Sequence, residues 1–241
     1  MNLRRFAGKC LAAWYSIRGK LYPSFSQAGE DQLMRYLLYN CLHILQPSYL
    51  DIGANHPRDC NNTYYFYLRG SKGVCIEPDL RFYKLIKSCR PRDTVLHAGI
   101  GTGQVNESAL YVFPHPYSGW NTFSKEEADL RSRETGISYQ AVQRIPLLNI
   151  NDVMAQYFNG HPNIVSIDVE GLDLQILQSL DFDRFRPEVI CVESITFSMK
   201  NEEQKLSGIA DFLLSKGYFI FGDTHINTIF CRTDAYKKLQ G

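Results

Sequence analysis

The chain has 241 residues, 44% of them hydrophobic, which is enough for one sizeable α/β core. Lys and Arg number 26 against 25 Asp and Glu, a formal charge of +1, so the overall balance lacks the basic excess expected of a protein with a nucleic-acid acceptor. The seven cysteines include no C-x-x-C pair; they offer no zinc site and read as reduced thiols of a cytoplasmic protein.

Residues 1–22 read as a basic amphipathic helix. Leu3, Phe6, Cys10, Trp14, Ile17 and Leu21 recur at helical spacing, with Arg4, Arg5, Lys9, Arg18 and Lys20 between them. Lys9 interrupts any secretory apolar core, and no run approaches the roughly 18–20 apolar residues of a membrane-spanning helix. Two destinations stay open for this helix. Its stripe docks on the domain or on a second subunit, as in a homodimer, or residues 3–21 make a peripheral contact with anionic lipid at the inner membrane surface. The first is favoured, because such stripes are usually buried against protein.

Residues 23–241 read as one domain. Pro23 and Ser24 break the chain, and Ser26-Gln27-Ala28-Gly29-Glu30-Asp31 reads as a helix start with acids in its first turn. That helix is predicted to run to about His43. Strands are predicted at Tyr49–Gly53, Gly73–Glu77, Thr94–Gly99, Ile164–Asp168 and Val189–Glu193. Helices are predicted at Asn61–Arg69, Leu80–Ser88, Leu172–Leu180 and Glu202–Lys216. This alternation implies a parallel sheet with helices on both faces. Tyr218–Phe221 and Asn227–Cys231 read as a terminal hairpin that adds an antiparallel strand. The stretch 101–149 interrupts the alternation with an aromatic, Pro- and Gly-containing loop, Pro114 to Thr122. Such loops on α/β scaffolds often bind substrate.

The chemistry concentrates at strand ends. Leu50-Asp51-Ile52-Gly53-Ala54-Asn55 ends a strand in an acid, with a glycine two residues on. Val74-Cys75-Ile76-Glu77 ends the next strand in a second acid. In doubly wound sheets ligands bind at these ends, and an acid after the second strand can accept ribose hydroxyls. A dinucleotide needs glycines of the G-x-G-x-x-G type, whereas Asn55 and Arg58 stand where the later ones belong. A phosphate-free, cationic nucleoside suits the acids better, which points to S-adenosylmethionine. Asp168-Val169-Glu170-Gly171 follows an apolar strand and places acids at the same end. Asp168 or Glu170 is a candidate general base. With Glu193, the two also form a candidate Mg²⁺ set. His56, next to the first loop, is a further candidate base; Glu170 could instead cap the following helix.

Five ordered segments resemble the FkbM family of methyltransferases: Ser26 to Asp31, Tyr49 to Asn55, Asn62-Thr63-Tyr64, Gly73 to Pro78, and Ile167 to Gly171. The resemblance covers about residues 26–232. It implies a class I, Rossmann-like methyltransferase fold, a seven-stranded and mostly parallel sheet whose last strand is antiparallel. It also implies O-methylation, commonly of sugar or secondary-metabolite hydroxyls; the expected acceptor is a hydroxyl of a sugar or glycan, free, nucleotide-linked or lipid-linked. Carried over by position, Asp51, Gly53, Ala54 and Asn55 would line the methionine end of the cofactor. Glu77, with Pro78 beside it, would hold the ribose, and Gly99 and Ile100 would border the adenine. Two other classes stay open: an NAD-dependent Rossmann oxidoreductase, and a non-catalytic binding protein of the same fold.

Overall fold

A computed structural model describes residues 22–103, 105–169, 171–196 and 204–237. The amphipathic segment expected at residues 3–21 lies outside the described residues. No described helix is long and apolar enough to cross a membrane.

The elements in chain order are α1 (Glu30–Arg35), β1 (Tyr49–Ile52), α2 (Tyr64–Leu68), β2 (Gly73–Ile76), α3 (Leu80–Cys89), β3 (Thr94–Leu96), β4 (Gly99–Gly101) and β5 (Glu107–Val112). They continue with α4 (Lys125–Thr135), β6 (Ala141–Asn149), α5 (Ile150–Tyr157), β7 (Ile164–Ile167), α6 (Asp173–Ser179), β8 (Val189–Glu193), α7 (Ser207–Ser215), β9 (Tyr218–Asp223), β10 (Asn227–Arg232) and α8 (Thr233–Lys237). Seven strands form one sheet in the order β3-β2-β1-β7-β8-β10-β9. The pairings from β3 to β8 are parallel, and β10 runs antiparallel to both β8 and β9. The expected seven-stranded sheet with an antiparallel last strand is therefore present.

The central strands are apolar on both sides because helices cover both faces. Leu50, Ile52, Val165, Ile167, Ile190 and Val192 pack into one core. Tyr49, Cys75, Ile164, Val189 and Cys191 pack into the other, with Met34, Leu37, Tyr65 and Phe66. The period-2 alternation of a strand sorts each run between the two.

Several boundaries move. After α1 the chain tightens into a π-helical segment, Tyr36–Cys41, and Leu42 donates to the Leu37 carbonyl at 2.9 Å. The helix predicted from Asn61 begins at Tyr64, because the Asn61 side chain accepts from the Thr63 and Tyr64 amides at 3.0 and 2.8 Å. The last long helix begins at Ser207 rather than Glu202. Lys205 instead bridges to Ile195 in extended form, and residues 197–203 lie outside the described set. The strand predicted over Thr94–Gly99 stops at Leu96, and Gly99–Gly101 opens a second, three-stranded sheet, β4-β6-β5. That sheet and α4 account for the interruption at 101–149. Helix α5, which follows it, escaped the hydrophobic pattern; its signal was Asn149, whose side chain accepts from the Asn151 and Asp152 amides.

Candidate functional site

The chain winds from β1 out to β3 on one side, then returns to build β7 and β8 on the other. The direction reverses between β1 and β7, and crevices at such points are where open α/β sheets bind ligands. A cavity of about 550 Å³ opens there. Gly53 and Asn55 follow β1, Glu77 and Pro78 follow β2, and Gly99 and Ile100 form β4; all six line it. Asp168 and Glu193 line it as well.

The loop after β1 is held by its neighbours. Gly53 and Ala54 both donate to the Ile76 carbonyl, at 3.0 and 3.2 Å. Gly53 has φ 78° and Asn55 φ 49°, a left-handed pair that glycine and asparagine tolerate best. The glycine has a second reason. A Cβ on Gly53 would run into the Asp168 carbonyl oxygen, well inside van der Waals contact. The β1 and β7 ends can approach closely only because residue 53 has no side chain. Gly53→Ala is therefore expected to cost roughly 2–4 kcal/mol of folding stability, combining a backbone clash with a disfavoured φ. Urea unfolding checks this, and a variant as stable as the parent refutes the packing argument.

Glu77 is 4% exposed. Its two carboxylate oxygens accept from the Asn55 and Asp79 amides, each at 2.7 Å. Burial pushes its pKa up to about 8 against those two hydrogen bonds, and the nearby Asp79 and Asp51 charges push the same way. A carboxyl group that lines the cavity with backbone donors behind it can accept hydrogen bonds there. On the β4 side the wall is tight: a Cβ on Gly99 would come within 2.6 Å of the Phe123 ring.

Asp51 departs from its expected role. It does not line the cavity. Within β1 its side chain shares a face with Tyr49 and points into the core beneath the loop, as strand alternation requires. There Oδ2 accepts from Thr63 Oγ1 (2.6 Å) and Asn61 Nδ2 (3.3 Å), with Arg90 Nη1 at 3.8 Å. Arg90 is fully buried and also donates to Asp93 (2.7 Å), Thr63 (2.8 Å) and Asn61 (3.1 Å). Burial raises the Asp51 pKa despite these partners. Asn61 Nδ2 closes the network on the Ala54 carbonyl at 3.0 Å. Asp51 thus braces the loop from beneath, through Asn61 and Thr63. Ala54 likewise packs into the core and not into the cavity.

His56 also stays out of the cavity. Its Nδ1 accepts from the Asp59 amide at 3.0 Å, so the ring shapes its own turn. Glu170 lies outside the described residues. The carboxylate seen pinning that loop is Asp173, which accepts from the Val169 and Gly171 amides, each at 3.2 Å. Sequence reading missed Asp173, although an acid in the first turn of a helix was its signal. Asp168 and Glu193 share the cavity, but no group of three metal-ligating side chains occurs among the described residues. The Mg²⁺ set is accordingly without support. Sequence reading also missed Gln27, Glu127 and Arg131 as lining residues. Arg131 Nη2 lies 3.6 Å from Glu127 and Nη1 donates to the Trp120 carbonyl at 2.8 Å, so helix α4 holds the 118–120 turn over the cavity.

The model of the methyltransferase FkbM domain family matches residues 51–220. No curated protein matches the chain at a significant level. Among solved structures, the chain is similar to a TehB-like SAM-dependent methyltransferase from Corynebacterium glutamicum, at 7% identity over 95% of this chain and 99% of that one, TM-score 0.43. An O-methyltransferase from Bacillus cereus in complex with SAH aligns at 12% identity over 87% and 83%, TM-score 0.40. A precorrin-6y C5,15-methyltransferase from Geobacter metallireducens aligns at 12% identity over 83% and 86%, TM-score 0.39.

Proposed function

We propose, from the premise that this chain belongs to the FkbM methyltransferase family, that it methylates a hydroxyl of a sugar or glycan with S-adenosylmethionine as donor. The observation that carries the cofactor reading is Glu77, a buried carboxylate held by two backbone amides and facing the switch-point cavity. The residues present fit the group. Glu77 would accept its ribose hydroxyls, the Gly99–Ile100 wall would border its adenine, and the Gly53–Asn55 loop would border its methionine. Glu127, Asp168 and Glu193, joined by Glu77 when it ionises, line the cavity against the single cation Arg131 among the described residues, an environment suited to a cationic, phosphate-free ligand.

The cofactor supplies the electrophilic methyl group. The chain's own task is to align the acceptor oxygen and take its proton. Asp168 directly follows β7 beside Gly53, at the methionine end, and is the residue assigned to that proton. Asp168→Asn is expected to lower kcat by about 10²–10⁴-fold while S-adenosylhomocysteine binds within a fewfold of the parent. Near-normal turnover would remove Asp168 from the chemistry. The whole reading is tested by incubating glycan extracts with the protein and S-adenosylmethionine. Glycans that gain one CH₂ alongside released S-adenosylhomocysteine support it. S-adenosylhomocysteine released with no change in any glycan, or calorimetric binding of NAD in place of S-adenosylmethionine, defeats it.

A further inference from the structure

The segment Ser26 to Asp31 precedes the matched domain, and the site described above does not account for it. Its two acids are both consumed in shaping a loop. Asp31 accepts from the Phe25 amide and the Ser24 hydroxyl, each at 2.7 Å, and from the Ser26 hydroxyl at 3.0 Å. Glu30, fully buried, accepts from the Ala28 amide at 2.8 Å and reaches the β9–β10 turn through Thr224 Oγ1 (2.7 Å) and Asn227 Nδ2 (3.1 Å). The loop is pinned a third time by Asn61, whose amide donates to the Phe25 carbonyl at 2.9 Å.

Asn61 is the same residue whose side chain holds the Ala54 carbonyl. One asparagine therefore clasps the 24–31 loop to the Gly53–Asn55 loop. Between the pinned positions stands Gln27. It lines the cavity together with Gly53, Asn55 and Cys60, and its carboxamide has no hydrogen-bond partner among the described residues. The pinned loop fixes the backbone of Gln27 at the cavity edge, and its exposed carboxamide is a neutral donor within that lining. The carboxylates around the cavity can accept from an ammonium; the ligand's own carboxylate needs a donor, and a neutral amide is one.

We propose that the Gln27 carboxamide donates to the α-carboxylate of the bound cofactor and so reads its amino-acid end. This rests on the reading of the cavity as an S-adenosylmethionine site. Two ligands separate the ends of the molecule: S-adenosylhomocysteine carries the amino acid, and 5′-methylthioadenosine carries only the nucleoside thioether. Calorimetry of both against the parent, Gln27→Ala and Gln27→Glu is the test. For Gln27→Ala, affinity for S-adenosylhomocysteine is expected to fall about tenfold, the scale of one hydrogen bond to a charged group. Affinity for 5′-methylthioadenosine should stay within twofold. Gln27→Glu, isosteric but anionic, is expected to weaken S-adenosylhomocysteine further. Unchanged S-adenosylhomocysteine affinity in Gln27→Ala overturns the proposal, as does an equal loss for both ligands, which would mark a loop that is merely structural. Gln27→Glu binding as tightly as the parent overturns it too. A parent protein that binds neither ligand instead overturns the cavity reading itself.

Discussion

Glu77→Ala is expected to weaken 5′-methylthioadenosine binding at pH 9, where the carboxyl is mostly ionised, roughly a hundredfold or more. Each ribose hydroxyl would lose a charged acceptor worth about 1.5–3 kcal/mol, and the Asn55 and Asp79 amides would lose the oxygen that now holds them. In the parent protein the same affinity should depend on pH. The Glu77 pKa stands at about 8 in the folded protein, so about one molecule in eleven is ionised at pH 7 and about ten in eleven at pH 9. If the ionised form is the binding form, affinity rises about tenfold over that interval. The ligand is chosen because it lacks the α-amino group, which titrates in the same range. The sign for stability is opposite. A carboxyl whose pKa is raised on folding favours the folded state fully below its ordinary value of 4.5, and that contribution is lost as pH climbs through about 8. The unliganded parent should therefore lose more of its melting temperature between pH 5 and pH 8 than Glu77→Ala does. Flat binding from pH 7 to pH 9 would show that Glu77 is not the ribose acceptor.

Arg90→Met is expected to be the most damaging substitution away from the cavity. It would leave the Asp51 and Asp93 carboxylates buried without their shared cation and strand Asn61 and Thr63. Breaking a buried ion pair from one side costs roughly 3–5 kcal/mol, and here two carboxylates depend on one guanidinium. Chemical denaturation measures the loss. Asn61→Ala gives the contrast. It keeps Arg90, Asp51 and Asp93 together, and its backbone amide still holds the Phe25 carbonyl, but it frees the Ala54 carbonyl, so it should cost less stability and more cofactor affinity. If Arg90→Met unfolds at the same denaturant concentration as the parent, the buried network is not what holds this end of the sheet.

These two sites were unequally legible. Glu77 was readable because it ends an apolar run, and in a parallel sheet the end of a strand is the binding edge whatever else the chain does. Asp51 looked equivalent, one strand earlier. It sits one residue before the strand end, on the face of Tyr49 rather than that of Leu50 and Ile52, and alternation carries it into the core. That correction was available from the sequence by counting. The partner that makes the burial tolerable, Arg90, was not.

The sequence by itself determined the α/β class, the seven main strands, the antiparallel hairpin and the acids that stand at the strand ends. All of these follow from signals within a few residues: apolar runs, their period, and what ends them. The tertiary structure alone decided which distant groups hold each of these acids. Glu30 is held by Asn227, Asn62 by Ser166, and Gly53 owes its lack of a side chain to the Asp168 carbonyl. Those partners lie more than a hundred residues apart, so no local pattern records them. A carboxylate's role depends on which groups the folded chain brings within about 3 Å of it, and that is a property of the sheet order.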